Sequence, residues 1–144
     1  MHSPILAPIV ALVAWSLVML VWTYFTRLPA MRRAGIDLGS RVGGRGANLE
    51  GRVPDDVMWV SHNYNHLMEQ PTLFYAICIA LALMGFGGGI NLYLAWGYVG
   101  FRVLHSLIQA TYNRVSHRFL VFCLASLCLI GLTTHAAIFL IRHG

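Results

Sequence analysis

Residues 102–118, RVLHSLIQATYNRVSHR, decide how this chain is read. They set Arg102, His105, Gln109, Tyr112, Asn113, Arg114, His117 and Arg118 in otherwise apolar surroundings. Arg102, His105, Gln109 and Tyr112 are spaced i, i+3, i+7 and i+10, so a helix lines them along one face. Val103, Leu104, Leu107, Ile108 and Ala110 form the other face. Charge inside a bilayer is costly, so an apolar helix with one polar stripe should face a bundle interior or a water-filled cavity. The stripe is the first candidate site.

Composition sets the class. Of 144 residues, 58% are hydrophobic and 10% charged. A soluble domain carries about 25% charged residues, so the chain reads as an integral membrane protein of one domain. All ten basic residues are Arg, and the net charge is +5. Most of these Arg fall in one loop. That fits charge beside a membrane better than nucleic-acid binding, and no nucleic-acid partner is expected. Cys78, Cys123 and Cys128 lie in apolar segments and read as small packing residues.

Outward from the stripe, four spans follow. Residues 4–26 carry no charge and exceed the roughly 20 apolar residues that a crossing needs. The positions before them lack the positive charge of a signal peptide, so a retained helix is expected. Residues 27–57 form a polar loop with Arg27, Arg32, Arg33, Arg41, Arg45 and Arg52. Its Gly-rich GSRVGGRGANLEG lacks the spacing of a phosphate-binding loop. Residues 58–84 are the second span, which should kink at Pro71 and free a carbonyl there. GFGGGIN at 85–91 is an uncharged turn, residues 92–112 the third span, and residues 118–141 the fourth. His135 in that last span should bond a backbone carbonyl. Four helices with short connections make an all-α, up-down, four-transmembrane-helix bundle. Basic residues cluster in the first and third loops, which puts those loops in the cytoplasm and both termini outside. The polar halves of spans two and three then meet at the cytoplasmic end.

That cluster is cationic with one acid, Glu69. It suits an anionic ligand entering from the cytosol, with apolar walls for a lipid-like partner. Arg forks grip carboxylates and stay charged, and an Arg beside a thiol favours the thiolate. Glu69 needs a cation, and Arg102 on the facing helix is the expected one. The plain alternative is an interhelical polar network that only holds the bundle together. His62, His66 and Glu69 at i, i+4 and i+7, with His105, are the weaker case for a zinc site, and none is expected.

Two stretches, NYNHLMEQPTLFYA (63–76) and FRVLHSLIQATYNRVSHRF (101–119), resemble signatures of the MAPEG family, the membrane-associated proteins in eicosanoid and glutathione metabolism. The resemblance implies a homotrimer in membrane lipid, with glutathione as cosubstrate bound near the cytosolic end between subunits. It implies a transferase or peroxidase acting on small apolar electrophiles or lipid hydroperoxides. Carried onto this sequence, Asn65 and Glu69 correspond to the second-helix ligand pair, and Arg102 and His105 to the third-helix pair. His62, Gln109, Tyr112 and Asn113 complete the expected binding set. The Arg that stabilises the thiolate is Arg118 by its spacing from His105, or Arg114 by its place beside Asn113. His62 and Tyr64 stand where glutathione-using members carry Arg, so a non-catalytic lipid-binding or scaffold protein of the same fold is the alternative. Ala76, Ala80 and Ala82 would let helices pack closely in a trimer.

Overall fold

The computed structural model describes residues 2–36 and 51–144. Residues 37–50, with Arg41 and Arg45, lie outside them. Five helices follow in order: α1 (Leu6–Arg33), α2 (Asp55–Leu67), α3 (Gln70–Leu83), α4 (Ile90–Ala110) and α5 (Val115–His143). The second span is thus two helices, α2 and α3, divided at Met68 and Glu69. Proline explains the division. Pro71 lacks an N–H and so sits in the first turn of α3, while Glu69 takes an irregular backbone (φ −94°, ψ −95°) that no helix continues through. Three segments are long and apolar enough to cross a membrane: Leu6–Arg33, Asp55–Leu83 and Val115–His143. At 21 residues α4 is about 30 Å long, enough to cross, but its own polar residues dilute its hydropathy.

Boundaries move from those expected at the sequence level. α1 runs past residue 26 through Pro29 to Arg33, so Arg27, Arg32 and Arg33 belong to the helix rather than to a loop. α4 stops at Ala110, because Thr111 leaves helical geometry, and Tyr112 falls beyond it.

Contacts between helices fix the topology. Thr23 Oγ1 donates to the Val60 carbonyl at 3.5 Å, and Arg27 Nη1 to Ser61 Oγ at 3.4 Å, so α1 lies on α2. Phe74 of α3 stacks on Tyr98 of α4, with centroids 4.4 Å apart. Between α4 and α5, Asn91 meets His135, and His105 lies near Phe122. One number falls as the other rises, so these two helices are antiparallel. Between the second span and α5, His66 meets Phe122 and Gln70 meets Ser126, so those run parallel. The result is an up-down bundle of four membrane-length rods.

Packing along the α4–α5 seam is close. A Cβ at Gly131 would lie 3.1 Å from Leu94 Cδ1, and one at Gly97 3.3 Å from Cys128 Sγ. Small residues at such seams allow the approach that dispersion needs when lipid replaces water. The buried core joins Leu12 and Met19 of α1, Leu67, Phe74 and Leu81 of the second span, Tyr98 of α4, and Ala125 and Leu132 of α5. All three cysteines are free.

Two polar links cross this core. Tyr98 Oη donates to Gln70 Oε1 at 3.0 Å, Gln70 Nε2 donates to Ser126 Oγ at 3.0 Å, and Ser126 Oγ donates to the Phe122 carbonyl. This chain of hydrogen bonds ties α3, α4 and α5 at one level. The second link is at the far end of α4. His135 Nδ1 donates to Asn91 Oδ1 at 2.6 Å, and Asn91 Nδ2 donates to the Phe86 carbonyl at 3.0 Å. His135 therefore bonds a side-chain amide, not the backbone carbonyl expected, because the fully buried Asn91 brings an acceptor that a helical backbone has already used.

Asn91→Leu should remove both bonds of the second link and leave the Phe86 carbonyl and His135 without partners. Interhelical hydrogen bonds in membranes average about 0.6 kcal/mol each, with more lost when a buried group is orphaned, so a loss of about 1–2 kcal/mol is expected. Thermal unfolding in detergent measures it. Tyr98→Phe, which removes one bond and keeps the ring stack, should lose less.

Candidate functional site

Three elements build the site: the last turns of α2, the second half of α4 and the first two turns of α5. A cavity of about 290 Å³ opens between them, lined by His66, His105, Gln109, Val115, Arg118, Phe119 and Phe122. His66 of α2, His105 and Gln109 of α4, and Arg118 of α5 give it polar groups, while Val115 and Phe119 are largely exposed.

The α4 stripe folds inward as its periodicity requires. Arg102, His105, Ser106 and Gln109 are buried, and Leu104 and Leu107 face out. Ile108 and Ala110, expected on the outer face, are buried as well, because α4 is covered on more than one side. Arg102 is 0% exposed, and among the described residues no carboxylate bonds it. Its Nη2 lies 2.9 Å from His66 Nδ1 and donates at 3.5 Å to the His66 carbonyl. The Phe122 ring lies 6.0 Å from the guanidinium carbon. Among the described residues Glu69 forms no ion pair with Arg102, which corrects the expected pairing. The break before Pro71 explains the difference: it turns Glu69 to the exposed surface, where its carbonyl accepts from Thr72, and leaves the His66 carbonyl within reach of Arg102.

His66 and His105 stack with ring centroids 4.9 Å apart, and Phe122 meets the His66 ring edge-on at 5.5 Å. His105 Nδ1, Gln109 Oε1, Ser106 Oγ, and Arg102 Nε and Nη1 are buried without a protein partner. Buried polar atoms ordinarily find partners, so this concentration beside a cavity is a mark of a binding site. Asn63, one turn from His66, is fully buried with both amide atoms unpartnered too.

Arg118 is the cationic wall of the cavity. Its Nη1 donates to Asn113 Oδ1 at 2.8 Å. Asn113 holds a left-handed backbone (φ 51°), which Asn tolerates better than most residues, and its N–H closes the end of α4 on the Ile108 carbonyl at 2.7 Å. One residue thus ends α4, permits the tight turn and aims the first Arg of α5. The N-terminal end of α5 adds its own partial positive charge beside Val115.

The expected residues divide into two sets. His105, Gln109 and Arg118 line the cavity, Asn113 holds Arg118, and Arg102 lies behind His66. Asn65 and Glu69 are exposed on the outer face of the second span, and His62 lies half-buried one turn earlier. Tyr112 is exposed and meets His117 Nδ1 at 3.1 Å, and Arg114 is exposed at the N-cap of α5. Among the described residues no three His, Cys, Asp or Glu side chains are placed to hold a metal ion. Sequence reasoning passed over His66, Phe119 and Phe122 as lining residues. His66 lies three positions after Asn63 and four before Gln70, on the inward side of the span, and that spacing was the available signal.

Neither the curated proteins nor the solved structures yield a match. The sequence model of the MAPEG family matches residues 5–138, nearly the whole of the bundle. The helices apolar enough to span a membrane fall within that stretch almost entirely. With the family's members including glutathione transferases and peroxidases, and with the match running from α1 into the last turns of α5, this chain belongs to the MAPEG family.

Proposed function

We propose that the chain is a membrane-embedded, glutathione-dependent transferase or peroxidase acting on apolar electrophiles or lipid hydroperoxides. The observation that carries this reading is the cavity itself. Arg118 and the positive end of α5 line it together with unpartnered atoms of His105 and Gln109, and Phe119 and Phe122 give it an apolar wall. Glutathione offers carboxylates, peptide N–H groups and a thiol, and these residues fit that chemistry. Gln109 Oε1 would accept a peptide N–H, and Arg118 would hold an anionic sulfur or carboxylate. Glutathione supplies the nucleophilic sulfur. The protein's part is electrostatic: a fixed guanidinium in a partly dry site keeps the sulfur charged without reorganising when it reacts. The aromatic wall seats an apolar partner beside it.

Asn65 and Glu69 lie exposed on the outer face of the second span, apart from the cavity of their own chain. In a homotrimer with glutathione between subunits, that face would complete a neighbour's site, and the trimer is part of this proposal. The basic residues near the site support placing this end of the bundle at the cytosolic surface.

Titration of the detergent-purified protein with glutathione, followed at the thiolate absorbance band, tests the reading. A thiolate band supports the enzyme. Binding without the band supports a lipid-binding scaffold instead, and no binding removes glutathione altogether. Arg118→Ala should abolish the band with assembly intact, and Arg118→Lys should keep part of the binding and less of the orientation. Arg114→Ala should change little, since Arg114 is exposed and is not among the residues that line the cavity.

Asn113→Gly makes a cleaner test of positioning. Gly accepts the left-handed backbone without strain, so the turn is kept while Arg118 loses its acceptor. About 1 kcal/mol, or about fivefold, should be lost in glutathione affinity, with little change in unfolding temperature. Isothermal titration of the two proteins gives the comparison.

A further inference from the structure

An arginine side chain has hydrogen-bond donors and no acceptor. Arg102 Nη2 lies 2.9 Å from His66 Nδ1, so in this bond the nitrogen of His66 must accept. A neutral imidazole that accepts at Nδ1 carries its proton at Nε2. His66 lines the cavity and turns Nδ1 away from it toward Arg102, which leaves the Nε2 edge for the cavity. Its ring is held on both sides, by the His105 stack at 4.9 Å and by the edge-on Phe122 at 5.5 Å. Arg102 itself cannot swing away easily. It is fully buried, and it also donates at 3.5 Å to the His66 carbonyl, which accepts the Glu69 N–H as well.

We propose that Arg102 locks His66 in its Nε2–H tautomer, and that His66 thereby gives the cavity a fixed, neutral hydrogen-bond donor for an oxygen acceptor of the bound molecules. This rests on the reading of the cavity as a glutathione site. Arg118 supplies charge for the anion, and His66 supplies direction for an oxygen. That oxygen belongs either to a carboxylate of glutathione or to the hydroperoxide of the second substrate. His66 is then a ligand-contacting residue and Arg102 a positioning residue acting through it. A ring flip would put Cε1 where Nε2–H stands, and the Nδ1–H tautomer would turn a lone pair to the acceptor instead, so the donor depends on Arg102 staying in place.

Nitrogen-15 NMR of histidine-labelled protein in detergent reads the tautomer directly. His66, assigned by comparison with His66→Phe, should show an unprotonated Nδ1 and a protonated Nε2. Arg102→Met should convert that signal to a mixture. A protonated Nδ1 in the native protein would overturn the proposal, whether or not glutathione binds. The binding arm uses His66→Phe, which keeps a stacking ring and removes the donor, and His66→Gln, whose amide N–H can reach the same place. If the acceptor is a glutathione carboxylate, His66→Phe weakens glutathione binding about tenfold, with the thiolate band at saturation retained, and His66→Gln restores much of it. If the acceptor is the hydroperoxide, glutathione binding is unchanged and kcat with cumene hydroperoxide falls about tenfold, again with partial rescue by Gln. A glutathione-binding native protein whose His66→Phe variant alters neither quantity overturns the donor role. A native protein that binds no glutathione defeats the enzyme reading instead, and the tautomer measurement still decides the lock.

Discussion

A buried guanidinium, bonded by no carboxylate among the described residues, governs this bundle. Arg102 lies in the middle of the polar end of α4, wholly enclosed, and its bonds go to one residue, His66. A charge in such a place is costly, and it persists only when surrounding groups over-determine its position. Beside the Pro71 break the His66 carbonyl accepts from Arg102 as well as from the Glu69 N–H, and the aromatic Phe122 gives the guanidinium a face. The kink, the stack of His66 on His105 and the shape of the cavity therefore depend on the same contact.

Much of the architecture was legible in the sequence because long apolar runs divided by polar or Gly-rich turns are a strong signal. Four hydrophobic stretches divided by Arg-rich or Gly-rich turns give four rods, and short turns make them alternate. The polar stripe was legible too, since Arg102, His105 and Gln109 repeat at helical spacing and do turn inward. Tyr112 broke the pattern because Asn113 ends α4 in a left-handed turn, and a spacing rule cannot see where a helix stops. Glu69 was assigned to Arg102 because they are an acid and a base at similar depth. Depth does not fix azimuth, and the irregular backbone at Glu69 rotates its side chain outward. His66, hidden among His62, Asn63 and Asn65, took the place instead.

The two polar links serve different ends. The Tyr98–Gln70–Ser126 chain joins three helices one turn from the site and ends on the carbonyl of Phe122, so it holds a cavity wall in register. The Asn91–His135 link lies at the far end and clamps α4 to α5 only. Between them, Gly97 and Gly131 draw the same two helices together. The α4–α5 pair is thus fixed at both ends and along its seam, and it carries His105, Gln109, Arg118 and Phe122 as one rigid unit.

Phe119 and Val115 line the cavity while remaining mostly exposed on the outer surface of α5. In a bilayer that surface borders acyl chains rather than water. Under the proposed function, an apolar substrate crossing there would be sampled at its concentration in the lipid, which partitioning raises far above its concentration in solution. Its apparent affinity then measures two things at once, the fit to the aromatic wall and the solubility in fat. Adding lipid or detergent would dilute such a substrate without touching the protein, so turnover by the proposed enzyme would follow the mole fraction of substrate in the membrane phase. Selectivity among apolar compounds can in this way be set partly before any of them meets a side chain.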